Sequence, residues 1–203
     1  MKRFLLTALA GLTLLFASCN SQKRIWYLQD AAEFTPEQIA EQVMGVSDRS
    51  FVSDFAQALL DGLKELKGEG PWNIELFGGG PADPNAPNFF KGAMSVLQPL
   101  IDDGTLTVVS GQMDFTQCAT QDWDNSKAQA RMDSLLSGFY SDKEIHGVLS
   151  PNDGIARAII TSCEQAGQAI PAISGLDAEN ETVEWIWAGR QYSTVAKPTD
   201  ALV

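Results

Sequence analysis

From Ser47 onward the chain alternates between two apolar periods, and this limits the fold more than any other feature. Phe51, Phe55, Leu59, Leu60, Leu63 and Leu66 recur at helical spacing until Gly68-Glu69-Gly70-Pro71 interrupts them. A dense apolar run over 72–77 follows, reads as a strand, and ends in Gly78-Gly79-Gly80. The same alternation continues, with helices expected over 89–101, 126–136, 154–165 and 181–187 and strands over 105–109, 145–149, 172–175 and 192–195. A helix followed by five strands with four helices between them is the pattern of an α/β doubly wound, mostly parallel sheet. Parallel strands are covered on both faces, which accounts for a run such as Ile74-Glu75-Leu76-Phe77.

That architecture says where to look for function. Ligands of open α/β sheets bind outside the carboxyl ends of the strands. Polar candidates follow each expected strand: Asn85 and Asn88 after the first, Gln112, Asp114, Gln117 and Gln121-Asp122-Trp123-Asp124 after the second. Pro151-Asn152-Asp153 follows the third, Asp177 the fourth, and Lys197 the last. The glycine run lacks the Gly-Lys-Ser/Thr ending of a phosphate loop and the spacing of a dinucleotide fingerprint, which disfavours a nucleotide site. One aromatic plate, several amides, a carboxylate and a cation suit a neutral polyol instead. Each sugar hydroxyl donates once and accepts twice, so amides and carboxylates satisfy it in pairs. The C–H face of a pyranose lies well on an indole.

Charge excludes other classes. The 203 residues carry 14 Lys and Arg against 26 Asp and Glu, a net −12, which repels nucleic-acid backbones. The single histidine, His146, rules out His-rich metal sites and is expected to be structural at the head of a strand. Neither a metal nor another cofactor is expected.

The N-terminus reads as an address. Lys2 and Arg3 precede an apolar stretch over 4–16, then Ala17-Ser18-Cys19, the three-part pattern of a secretory leader. The stretch is shorter than the roughly 20 residues that span a bilayer. Phe16-Ala17-Ser18-Cys19 resembles a bacterial lipobox, which makes Cys19 the expected lipidated N-terminus. The organisation is then a leader over 1–18, a tether with a short helix over 19–45, and an α/β lobe over 46–203. Removal of the leader leaves 185 residues with a net charge of −14. Cys118 and Cys163 are read as two buried unpaired thiols, with pairing in an oxidising compartment as the alternative.

Several segments together carry a family resemblance: NIELFGGGPADPN, GAMSVLQPLIDDG, SGQMDF, QDWDNSKAQARMD, VLSPNDG, SGLDAE and QYSTVAK, in that order. The chain over 46–203 resembles the periplasmic sugar-binding proteins of bacterial ABC importers, in the multiple-monosaccharide branch related to galactose/glucose- and ribose-binding proteins. The resemblance implies a single lobe of a type I periplasmic-binding-protein fold, monosaccharide binding, docking on an importer permease, and no enzymatic activity. It implies that Trp123 stacks on the sugar and that Asn152, Asp177 and Lys197 bond its hydroxyls. The loop contact after the first strand falls to Asn88 or Asn85. At Asp122 that branch often carries arginine. A full member has a whole first lobe ahead of position 46 and more chain after Lys197, whereas six residues follow Lys197 here.

Each residue also has a simpler reading. Trp123 serves equally as a loop anchor, Asn152 or Asp153 as a cap for the following helix, Asp177 as a cap for the next, and Lys197 as a solvated charge. Trp185 and Trp187 diverge by about 200° on a helix and cannot share a face. At the level of function, the alternative is a tethered interaction lobe that pairs through its exposed cleft. A glycosidase using Asp122 and Asp124 is a third, weaker option.

Overall fold

The computed structural model describes residues 51–196. Helix α1 (Phe51–Lys67) leads into β1 (Trp72–Leu76), α2 (Ala86–Asp102) and β2 (Leu106–Val108). A short helix α3 (Phe115–Cys118) and a 3₁₀ turn (Gln121–Trp123) precede α4 (Asn125–Phe139) and β3 (Gly147–Leu149). Then come α5 (Asp153–Gln165), β4 (Ala172–Ile173) and α6 (Asn180–Trp187).

The four strands form one parallel sheet in the order β2-β1-β3-β4. The chain leaves β1 to one side, then returns to place β3 on the other, so the topological switch point lies between β1 and β3. Alternate residues of β1 serve opposite faces. Ile74 and Leu76 join α1 and α2 residues such as Leu59, Leu63, Ala93 and Leu97 in one buried cluster. Phe77 joins Met132, Leu135, Ile155 and Ile159 from α4 and α5 in the other. Close packing needs a missing side chain at one place: a Cβ on Gly147 would lie 2.9 Å from Leu63 Cδ2.

The expected order of helices and strands is present, with two differences. The fifth strand is reduced to one parallel bridge, Leu176 to Val195. Side chains hold that segment instead of a ladder, because Tyr192 lies over Gly62 and its hydroxyl donates to Glu65 at 3.0 Å. Helix α2 begins three residues earlier than expected, since Pro87 in its first turn fits the fixed φ of a helix start.

Other expectations hold. Cys118 and Cys163 are free and buried, and burial pushes their thiols up to about 11 and about 12. Trp185 packs against the second core cluster under Arg190, 3.6 Å from its guanidinium, while Trp187 is 47% exposed. His146 Nδ1 accepts the Asn73 amide at 2.8 Å, a structural role.

Candidate functional site

The loops after β1 and β3 meet at the switch point, where the fold leaves a crevice. Gly78-Gly79-Gly80 forms one wall, and Gly79 and Gly80 leave room for an indole. A Cβ on Gly79 would sit 2.1 Å from Trp123 Cη2, and one on Gly80 would sit 2.8 Å from Trp123 Cδ1. Trp123 is half-buried and, with Asp122, adopts a positive φ (56° and 60°) that turns the chain back over the glycines. Beside it a narrow apolar recess is lined by Phe55, Phe77, Phe89, Trp123 and Pro151, among others.

Asn152 and Asp153 divide two tasks. Asn152 is the N-cap of α5, and its Oδ1 accepts the Ile155 amide at 2.9 Å. Its carboxamide nitrogen has no partner among the described residues. Asp153, the other cap candidate, is instead the first helical residue and fully buried. Its carboxylate accepts the Glu179 amide at 2.9 Å and Gln191 Nε2 at 3.3 Å. Burial dominates those bonds and pushes its carboxyl up to about 6.

Asp177 is exposed in the turn after β4, with φ of 105°, followed by Ala178 at 52°. It is not a helix cap, because the N-cap position of α6 belongs to Glu179. Asn85 is exposed and occupies the N-cap position of α2 without a capping bond from its side chain. Asn88 lies inside α2, not in the loop, and its Nδ2 donates to Pro84 O at 3.3 Å. Lys197, Cys19, the leader and the tether with its helix fall outside the described residues.

The other polar candidates hold the frame. Gln117 Oε1 accepts the Asp114 amide at 3.2 Å in a capping box. Asp124 caps α4 by accepting the Ser126 amide at 2.8 Å, and Asp122 pairs with Lys127 at 3.0 Å. The Lys127 ammonium holds the Asp122 carboxyl below the usual range, and the Ser126 hydroxyl, donating at 2.6 Å, does the same for Asp124. Gln112 Oε1 is taken by Arg131 Nη2 at 2.7 Å and Nε at 3.2 Å.

Two residues of this region escaped the sequence reading. Arg131 also donates to Leu76 O at 2.9 Å and lies 4.2 Å above the Phe77 ring, fastening the end of β1 to α4. Its signal was position, three residues after buried Ala128 on the same face. Glu75 is fully buried and accepts Ser110 Oγ at 2.6 Å, the Ser110 amide at 3.0 Å and Tyr140 OH at 2.8 Å. An acid between Ile74 and Leu76 was its signal.

A parallel α/β lobe with an indole seated against two glycines at its switch-point crevice has the architecture in which open sheets take up ligands. The sequence matches the periplasmic binding protein domain over residues 52–203, and the chain belongs to that family. It is 49% identical over 164 residues to the multiple sugar-binding periplasmic protein SbpA of Azospirillum brasilense, covering 78% of this chain and 44% of SbpA. It is 48% identical over 149 residues to the multiple sugar-binding periplasmic receptor ChvE of Rhizobium radiobacter, covering 71% and 42%. The chain therefore spans less than half the length of these relatives. A solute-binding protein of an ABC transporter from Clostridium phytofermentans, solved with β-D-glucose bound, superposes with a TM-score of 0.68 at 32% identity, over 74% of this chain and 47% of that one.

Proposed function

We propose that this chain is a monosaccharide-binding lobe of a solute-binding protein that serves an ABC importer and performs no chemistry on its ligand. The observation that carries the reading is the placement of the half-buried Trp123 across Gly79 and Gly80 at the switch point. There a sugar's C–H face meets the indole while Asn152, Asp177 and Lys197 take its hydroxyls, with Asn88 or Asn85 contributing from the first loop. The names of the relatives and the glucose-bound neighbour support the ligand class. In the same reading residues 1–18 are an export leader, 19–45 tether the lobe over 46–203, and a lipid on Cys19 holds it at the membrane beside its permease. Nucleic acid is not a partner, given the acidic charge.

A thermal-shift and calorimetric screen against pentoses, hexoses and uronic acids tests this reading. Binding of one monosaccharide, weakened in Asp177→Ala and without turnover of an aryl glycoside, supports it; silence across the panel at millimolar sugar overturns it. The second reading is a tethered lobe whose cleft pairs with another protein surface. Concentration-dependent association that ignores sugar supports that reading.

A further inference from the structure

The turn that carries Asp177 is held in an unfavourable shape. Asp177 and Ala178 both have positive φ, a region that residues with a Cβ enter only when their surroundings impose it. Here three successive amides are pinned. Asp177 N donates to Val195 O at 3.0 Å, Ala178 N to Thr194 Oγ1 at 3.1 Å, and Glu179 N to Asp153 Oδ2 at 2.9 Å. Two of these acceptors lie on the last described segment, and the third is a buried carboxylate at the start of α5. The Asp153 amide itself donates to Leu176 O at 3.0 Å, so backbone and side chain brace the same turn. Gly175 leaves the space this needs, since a Cβ there would lie 2.2 Å from Asp153 Oδ1.

We propose that Asp153 is a positioning residue for ligand recognition: its buried carboxylate holds the 177–179 turn in the shape that sets Asp177 at the crevice. The role of Asp177 in this proposal rests on the sugar-binding reading above. A carboxylate is suited to the task because donors approach it from two segments, Glu179 N from the turn and Gln191 Nε2 from the segment after α6. An alanine accepts neither bond, and an asparagine has one acceptor oxygen for two donors.

The charges around Asp153 do not replace it. Arg157, one turn along α5, is taken by Glu179 and by Glu181, the latter at 3.4 Å. Glu179 opposes ionisation of Asp153 from the turn, where Asp177 adds a second acid. On the last segment Gln191, Ser193 and Thr194 are neutral, and Arg190 is engaged by Glu164 at 2.8 Å. Protonation of Asp153 changes what the Glu179 amide faces, so that amide reports the state of the carboxyl.

The test uses the full chain as wild type, Asp153→Asn and Asp153→Ala, and reads backbone amide exchange, the Glu179 amide resonance from pH 8 to 5, and monosaccharide affinity. In the wild type the Glu179 resonance is expected to titrate with a midpoint near 6 and to stop doing so in Asp153→Asn. In Asp153→Ala the Ala178 and Glu179 amides are expected to exchange about tenfold faster or more while β1 and β3 stay protected, with sugar affinity falling by about as much. Unchanged exchange at 178 and 179 in Asp153→Ala, or a pH-independent Glu179 resonance in the wild type, overturns the proposal. If Asp153→Ala loses protection in β1 and β3 as well, the asparagine variant and the wild-type titration decide. If the wild type binds no sugar, the sugar-binding reading fails, and exchange and titration still show whether Asp153 holds the turn.

Discussion

Trp123 lies so close to Gly79 that a single methyl group on the glycine would sit 2.1 Å from the indole. Both ring edge and backbone would have to move, because Gly79 is itself buried between β1 and the 3₁₀ turn. Gly79→Ala is therefore expected to expel the indole from its seat and to cost about 1–3 kcal/mol of stability, as overpacking does. Near-ultraviolet circular dichroism and urea denaturation check this. An unchanged aromatic spectrum at wild-type stability contradicts it.

Removing the indole itself separates binding from folding. Trp123 is half-buried at the rim of the crevice, so Trp123→Ala is expected to leave a cooperative transition while monosaccharide affinity drops by about tenfold or more. Calorimetry on the variant and wild type makes the comparison. Equal affinities would show that Trp123 anchors its loop and nothing more.

Asp153 makes stability depend on pH in an unusual sense. Its folded carboxyl is raised from 3.8 to about 6, so the folded state binds more protons than the unfolded chain between those values. The contribution from this group is fully present below 3.8 and is lost as pH rises through 6, on the order of 2–3 kcal/mol in total. Glu144 works the other way, because Lys67 at 2.8 Å lowers its carboxyl from 4.5, so its contribution disappears as pH falls below that range. Between pH 5 and 7 urea midpoints are expected to fall as pH rises, and Asp153→Asn should flatten that slope.

The buried acid of β1 depends on its donors. Tyr140→Phe removes the hydroxyl that donates to Glu75 at 2.8 Å and leaves a fully buried carboxylate with Ser110 alone. A loss of about 1–3 kcal/mol is expected from denaturant unfolding, with Ser110→Ala of similar size. Losses within the experimental error for both would mean that Glu75 is satisfied in another way.

The two core thiols offer a simple check on packing. Both are buried with thiolates strongly disfavoured, so native Cys118 and Cys163 are expected to resist a thiol reagent at neutral pH and to react fully in denaturant. Fast labelling of either in the native protein would contradict the close packing described.

What the sequence determined by itself is the succession of elements and the class of fold. Each helix or strand declares its burial through its own period: Phe55, Leu59 and Leu63 mark a helix, and the 72–77 run a covered strand, without reference to distant residues. The carboxyl-end loops, and with them Trp123, Asn152 and Asp177, follow from that class by the geometry of parallel sheets. The tertiary structure alone decided what these loops do to one another. Position 79 meets 123, position 75 meets 110 and 140, and position 153 meets 179 and 191. None of these pairings leaves a period in the local sequence, so Asp153 reads as a plausible cap and Gly79 as a strand-ending glycine with no assigned partner until packing settles them. The last strand follows the same logic: its alternation is genuine, but the contacts of Tyr192 with α1 outweigh a ladder beside a β4 of two residues.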